Sequence, residues 1–215
     1  RSALNKKRDS DKNVGVIYSD ALGNFADINV AESLRRISGI SVENDQGEGR
    51  YVTVRGMNTD LNAMTINGVS TASPEDRRGV ILDGVPTDLL DSMTVYKTLT
   101  PNLDADTIGG AIDLETISAF SYGSNFAKFK AETSRNDLTK DSSNPKLSGT
   151  YTTVIPQENG DLGIAFVISS QERRIKAENN EAGGWGSTYV DDDYEMRYYD
   201  LTRERDGIVL NLDYV

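Results

Sequence analysis

The sequence predicts a two-part chain: an α+β domain of short mixed strands and small helices, then antiparallel β-strands patterned like an incomplete transmembrane barrel. Three observations carry this reading. Near residue 118 the pattern changes from mixed helical and strand signals to strict alternation. The alternating segments run to roughly the ~10 residues of tilted membrane-spanning strands. Their connectors are by turns long and short, as a barrel with long outer loops and short inner turns requires.

Composition narrows the chemistry. The chain has 215 residues, a formal net charge of −11, and neither His nor Cys. That excludes thiolate–imidazole zinc sites, Ser-His-Asp triads, Cys nucleophiles and disulfides. An acidic chain has no net positive field with which to release counterions from nucleic acid, so no nucleic-acid partner is expected. No apolar run approaches the ~18 residues of a helical span. Apolar residues make up 37% and aromatics 7%. Strands that are half polar, with one face meeting something other than a protein core, account for that deficit; partial disorder is the alternative. The chain opens on Arg1-Ser2-Ala3 with no charged-then-apolar leader, so any signal peptide is expected to have been removed or left out.

In the first part, Val14–Tyr18 reads as a strand. Asn24 to Asp27 offers caps for a helix over 29–37, whose Val30, Leu34 and Ile37 recur at helical spacing and whose end is marked by Gly39. Residues 51–55 and 63–67 read as short strands, the second stopped by Asn67-Gly68. Pro86 starts a short helix over 87–91, and residues 92–97 and 111–115 read as further strands punctuated by Pro101 and Gly109-Gly110.

In the second part, Ala127, Phe129, Ala131 and Thr133 alternate with Lys128, Lys130, Glu132 and Ser134. Alternation recurs over 146–155, 162–169 and 208–214, and a further strand is expected around 195–202. Residues 136–145 and 176–192 read as long loops, and 156–161 and 203–207 as tight turns. About five strands would result. A soluble meander or sandwich with uneven loops has the same alternation.

Four blocks resemble the plug domain of TonB-dependent outer-membrane receptors. They are Asn29-Val-Ala-Glu-Ser-Leu-Arg-Arg-Ile-Ser-Gly-Ile-Ser-Val42, Val52-Thr-Val-Arg-Gly56, and Met64-Thr-Ile-Asn-Gly-Val69, with Asn67 in place of the usual Asp. The fourth is Ser92-Met-Thr-Val-Tyr-Lys97 with Ile108-Gly-Gly-Ala-Ile-Asp-Leu-Glu-Thr116. The resemblance implies a plug domain over residues 1–118 and the first strands of the barrel over 119–215. It implies a place in the cell outer membrane, energy coupling through TonB, and contact with the lipid bilayer. The extracellular ligand would be a small molecule or oligosaccharide, released to the periplasm. Residues 1–42 and 197–205 are similar to the Caulobacter and Xanthomonas type, which favours carbohydrate; a ferric siderophore or other chelate is the alternative. A barrel of ~22 strands needs several hundred residues, so the chain is expected to be part of a longer receptor. No cofactor is implied. Val14–Tyr18 fits the first plug strand better than a TonB box.

By the same resemblance the apical plug loops are 44–50 and 70–78, with Asn44, Gln46, Arg50, Glu75, Arg77 and Arg78 as ligand-binding candidates; a solvated loop is the plainer reading of each. Trp185 would sit on an extracellular loop, stacking on a sugar or packing the loop. Arg55 and Lys97 occupy positions where the family pairs basic plug residues with barrel glutamates; a surface cation worth ~0–1 kcal/mol is the alternative. Asn102, Asp104, Asp106 and Asp113 imitate calcium-loop spacing but lack its Gly and final Glu, so no metal site is assigned. Nothing places two carboxylates at a cleft for hydrolysis, so no enzyme is expected. The rival from another class is a soluble, calcium-dependent β-rich binding or adhesion module.

Overall fold

A computed structural model describes residues 2–10, 13–18, 27–101, 103, 107–123, 125–140, 144–185 and 191–215. A short helix α1 (Ser2–Asp9), absent from the sequence reading, packs on β1 (Val14–Tyr18). It is pinned by Lys6 Nζ donating to Glu115 at 3.0 Å. Helix α2 (Val30–Leu34) is shorter than the expected 29–37. Its cap is Asn29, whose Oδ1 accepts the Glu32 amide at 3.1 Å while its Nδ2 donates to the Gly49 carbonyl. Of the caps expected, Asn24 lies outside the described residues, and Asp27 serves instead as acceptor for Ser33 Oγ.

The strands β2 (Ile40–Asp45) and β3 (Glu48–Val54) form a hairpin of their own. A five-stranded sheet follows in the order β1-β6-β7-β4-β5, with β4 (Asn62–Ile66), β5 (Val69–Ser70), β6 (Leu90–Tyr96) and β7 (Gly110–Thr116). The turn between β4 and β5 has positive φ at Asn67 and Gly68, which is why that dipeptide was legible as a hairpin turn. Val30, Leu34, Val54, Met93, Val95 and Leu114 are buried together between α2, the hairpin and the sheet. This apolar core holds the first part together.

Four antiparallel strands, β8 (Phe126–Thr133), β9 (Pro145–Gln157), β10 (Gly160–Trp185) and β11 (Asp191–Tyr214), form an open sheet ordered β11-β10-β9-β8. One face exposes Phe129, Leu147, Tyr151, Phe166, Ile168, Ile208, Leu210 and Leu212. The opposite face, with Thr152, Ala165, Val167, Ser169 and Arg205 buried, packs on the first part. The period-two pattern is therefore real, and its apolar half points away from the protein.

Two boundaries differ from expectation. Residues 195–202 and 208–214 belong to one strand, and 203–207 is no turn: Arg203 to Gly207 pair in register with Arg173 to Ser169. The charged stretch stays extended because Arg203 and Arg205 point inward to acidic partners. Gly207 is needed there because a Cβ would meet Leu89 Cδ1 at 2.7 Å. Likewise the described residues of 176–192, which are 176–185 and 191–192, are strand, and charges there and beside them pair across the ladder: Arg174 and Lys176 with Asp200, and Arg197 with Glu181. The described sheet therefore has four strands where five were expected. Beyond Ile168 the β10–β11 ladder continues to Trp185, about 55 Å at ~3.3 Å per residue.

Candidate functional site

The β2–β3 tip turns through Gln46 and Gly47, both at positive φ (52° and 84°), as a two-residue hairpin requires. The tip abuts the wall formed by β10: a Cβ on Gly47 would lie 2.9 Å from that of Ala177. The segment 70–83 folds beside it. Arg50, on β3, donates to Asp45 and to Glu75, and its Nε lies 3.9 Å from Asp83. Tyr51 Oη donates to the second oxygen of Glu75. Burial and that contact push the Tyr51 phenol above its ordinary range. The Arg77 guanidinium stacks 4.5 Å from the Tyr51 ring centroid and donates to Asp60 at 3.1 Å, a cation–π arrangement. The Gly79 amide, first, and Arg77 hold the Asp60 carboxyl below the usual carboxylate range. Arg78 is exposed and contributes its backbone amide to Asp60.

Four of the six ligand candidates, Arg50, Glu75, Arg77 and Arg78, thus share one charged patch. Gln46 accepts from Arg203 Nη2 at 3.0 Å, tying it to the wall. Asn44 is exposed and accepts from Arg35 at 2.9 Å, on the other side of the hairpin. Trp185 closes β10, in register with Asp191, rather than standing in a long loop. Of the calcium-like residues, Asn102, Asp104 and Asp106 lie outside the described residues. Asp113 is held by Thr65 Oγ1 at 2.5 Å and the Gly68 amide at 3.2 Å. Among the described residues no group of acids is arranged to hold a metal ion.

The site residue that sequence reasoning missed is Glu48. The residue is 1% exposed. Arg173 Nη1 donates to one oxygen at 2.6 Å; Arg203 Nη1, at 3.0 Å, and Arg205 Nη2 donate to the other. Arg203 also donates to Asp83 at 3.0 Å, and Arg205 Nε donates to the Asp83 carbonyl at 2.6 Å. A second junction lies at Asp88, which receives Lys146 at 2.5 Å and Lys130 at 3.0 Å. Burial alone would push the Asp88 carboxyl up; the two ammonium groups outweigh it and hold it below the usual range. In both junctions an acid of the first part meets cations of the wall, the reverse of the polarity expected for Arg55 and Lys97. Arg55 is exposed and donates to the Gly109 carbonyl at 2.9 Å. Lys97 ends the sheet half-buried, its amide donating to the Asn13 carbonyl.

Toward the opposite end, a polar cavity of about 470 Å³ opens between β7 and β11. Its four acids are each engaged: Asp91 by Ser121, Asp213 by Ser118, Glu115 by Lys6 and Ser92, and Asp113 as above.

Residues 6–111 match the family model described as the TonB-dependent Receptor Plug Domain. No curated protein matches the chain. Among solved structures, the chain is similar to the ferric citrate transporter FecA in its unliganded form (17% identity, 85% of this chain and 30% of that one, TM-score 0.60). It is also similar to the Serratia marcescens hemophore receptor HasR (18%, 91% and 29%, 0.55) and to the ferric yersiniabactin uptake receptor FyuA from Yersinia pestis (13%, 92% and 29%, 0.54). The chain spans less than a third of the length of each of these three, and at such identities the likeness is one of fold. The comparisons do not reach the Caulobacter and Xanthomonas sub-family. Residues 6–111 form a TonB-dependent receptor plug domain, followed by antiparallel strands that resemble the opening of such a receptor's barrel, which places the protein in the outer membrane.

Proposed function

We infer that this chain is the gate and first wall of an outer-membrane uptake receptor. The observation that carries the reading is the two-faced sheet: apolar side chains outward, as lipid requires, and Glu48, Asp83 and Asp88 of the plug bound to its inward cations. An open sheet of four strands leaves backbone groups unpaired at its edges, so further strands complete the barrel. The apical patch around Arg50, Tyr51, Glu75 and Arg77 binds ligand from outside, and TonB-coupled work on the plug releases it inward. In the closed barrel Arg55 and Lys97 remain candidates for pairing with acidic wall residues. Transport, rather than catalysis, is the activity.

For the ligand, the three receptors above are described as a ferric citrate transporter, a hemophore receptor in complex with its hemophore and heme, and a ferric yersiniabactin uptake receptor, and none of these three is described by the carbohydrate expected from the sequence. We therefore put a metal chelate first. The arginines Arg50, Arg77 and Arg78 suit the carboxylate or catecholate oxygens of such a ligand. The test is binding of ferric siderophores against oligosaccharides by the full-length receptor, after membrane fractionation has located it. Binding of oligosaccharide alone would overturn the chelate assignment, and a soluble product would overturn the receptor reading in favour of a soluble binding module.

A further inference from the structure

The Glu48 junction is more than a contact. Arg173 and Arg203 are directly opposed in the β10–β11 register and both face inward, where like charges repel. Arg205 stands two residues on, only 7% exposed. One buried guanidinium and two partly buried ones, crowded on one face, need an anion among them. Within the described structure that anion is supplied by the plug, chiefly by Glu48 with Asp83 beside it. The wall hairpin and the plug tip therefore each depend on the other.

The junction is also continuous with the apical patch. Arg203 holds Gln46, Glu48 and Asp83 at once, all at 3.0 Å. Asp83 neighbours Arg50, Arg50 binds Glu75, and Glu75 accepts from Tyr51, on which Arg77 stacks. A ligand that engages Gln46 competes directly with Arg203, and one that engages Arg50 or Glu75 reaches Arg203 through Asp83.

A second setting is built in. Among the described residues, Arg205 Nη1 is buried with no hydrogen-bond partner, and so is Gln171 Oε1. These residues are register partners on the same inward face. When Arg205 gives up Glu48, an unused acceptor stands directly across the ladder, which lowers the cost of leaving the carboxylate.

The geometry points to a two-position latch: Glu48 with Arg173, Arg203 and Arg205 holds the apical hairpin against the barrel wall, and Arg205 passes to Gln171 when the hairpin lets go. The latch rests on the uptake-receptor reading for its purpose, but its test does not. Backbone hydrogen exchange is measured on the full-length receptor in detergent, without ligand, for wild type, Glu48→Gln, Arg203→Gln, the double variant and Gln171→Leu. Exchange over 44–50 and over the facing wall segments 171–177 and 199–205 is expected to rise together about tenfold or more in each latch variant. Residues of β6 and β7 should stay unchanged. The double variant should rise no further than the larger single, because the two substitutions break one unit. Gln171→Leu keeps Glu48 in place and removes the second acceptor, so it should lower exchange in the same three segments about threefold. Should Glu48→Gln fail to assemble, Arg203→Gln and Gln171→Leu carry the same test. A rise confined to the plug, multiplicative effects of the two latch substitutions, or Gln171→Leu leaving exchange unaltered would overturn the latch. Absence of uptake by the wild-type receptor, with the exchange pattern as expected, would instead count against the receptor reading and leave the latch standing.

Discussion

The plug is held together and held in place by different forces. Its interior is closed by Val30, Leu34, Met93, Val95 and Leu114, all essentially inaccessible and all apolar. Against the wall it buries a smaller apolar cluster, Leu89, Ile117 and Ala119 with Ala165 and Val167, and above it the carboxylates of Glu48, Asp83 and Asp88. Apolar burial is non-directional and is lost only by exposing the surface to water. A charged contact is costly when half-broken yet can be exchanged for another charged or polar partner. A domain that has to stay folded while its seating changes is well served by that division.

The sharpest way to break the comparison is Glu48→Ala. It leaves one buried guanidinium, Arg205, and two partly buried ones, Arg173 and Arg203, short of their carboxylate and should cost about 3–5 kcal/mol. Denaturant unfolding of the full-length receptor should show plug release from the wall well before loss of the plug's own structure. If plug and wall unfold together in that variant, seam and core are one cooperative unit and the distinction fails. Leu34→Ala attacks the other side. It should cost about 2–5 kcal/mol of plug stability through lost transfer energy and a cavity. In the same experiment the plug should melt while still seated.

Asp88 gives a pH signature. Its carboxyl is held below the usual range in the folded state, so the unfolded state binds more protons as pH falls. The stabilisation is then fully present above the ordinary carboxyl pKa of ~3.9 and disappears as pH drops through the lower folded value. Unfolding midpoints followed from pH 6 downward should fall more steeply in wild type than in Asp88→Asn, which has already lost the effect at neutral pH. Equal slopes would remove Asp88 from the seam's energetics. The smallest effect is expected at Asn29, where replacement by Ala removes the α2 cap and the bond to the Gly49 carbonyl. About 1–2 kcal/mol should be lost, all of it from the plug's own stability and none from its seating.

Much of the fold was legible because its signals are local. Val14–Tyr18, the Asn67-Gly68 turn and the alternation through β8 and β9 depend on neighbouring residues, and each lies where the sequence puts it. The errors share one cause. Arg203-Glu-Arg-Asp-Gly207 has the composition of a turn and 176–192 that of a polar loop, yet the described residues of both are strand. Their charges are satisfied across the ladder or across the plug–wall seam, which no window of local sequence contains. The apical patch was partly legible: Arg50, Glu75, Arg77 and Arg78 do come together, while Asn44 turns to Arg35. Glu48 was missed because a lone Glu beside a Gly turn carries no sign of what faces it.

The sequence by itself determined a two-part chain whose second part has one apolar and one polar face, because period-two patterning and turn chemistry act over a few residues. Only the tertiary structure decided which charges meet. Glu48 reaches Arg173 across 125 positions and Arg205 across 157, and the sign of that contact is the reverse of the one expected for the plug. Coulombic pairing has no periodicity to read; it is fixed when folding brings distant strands to the same depth and removes water from between them.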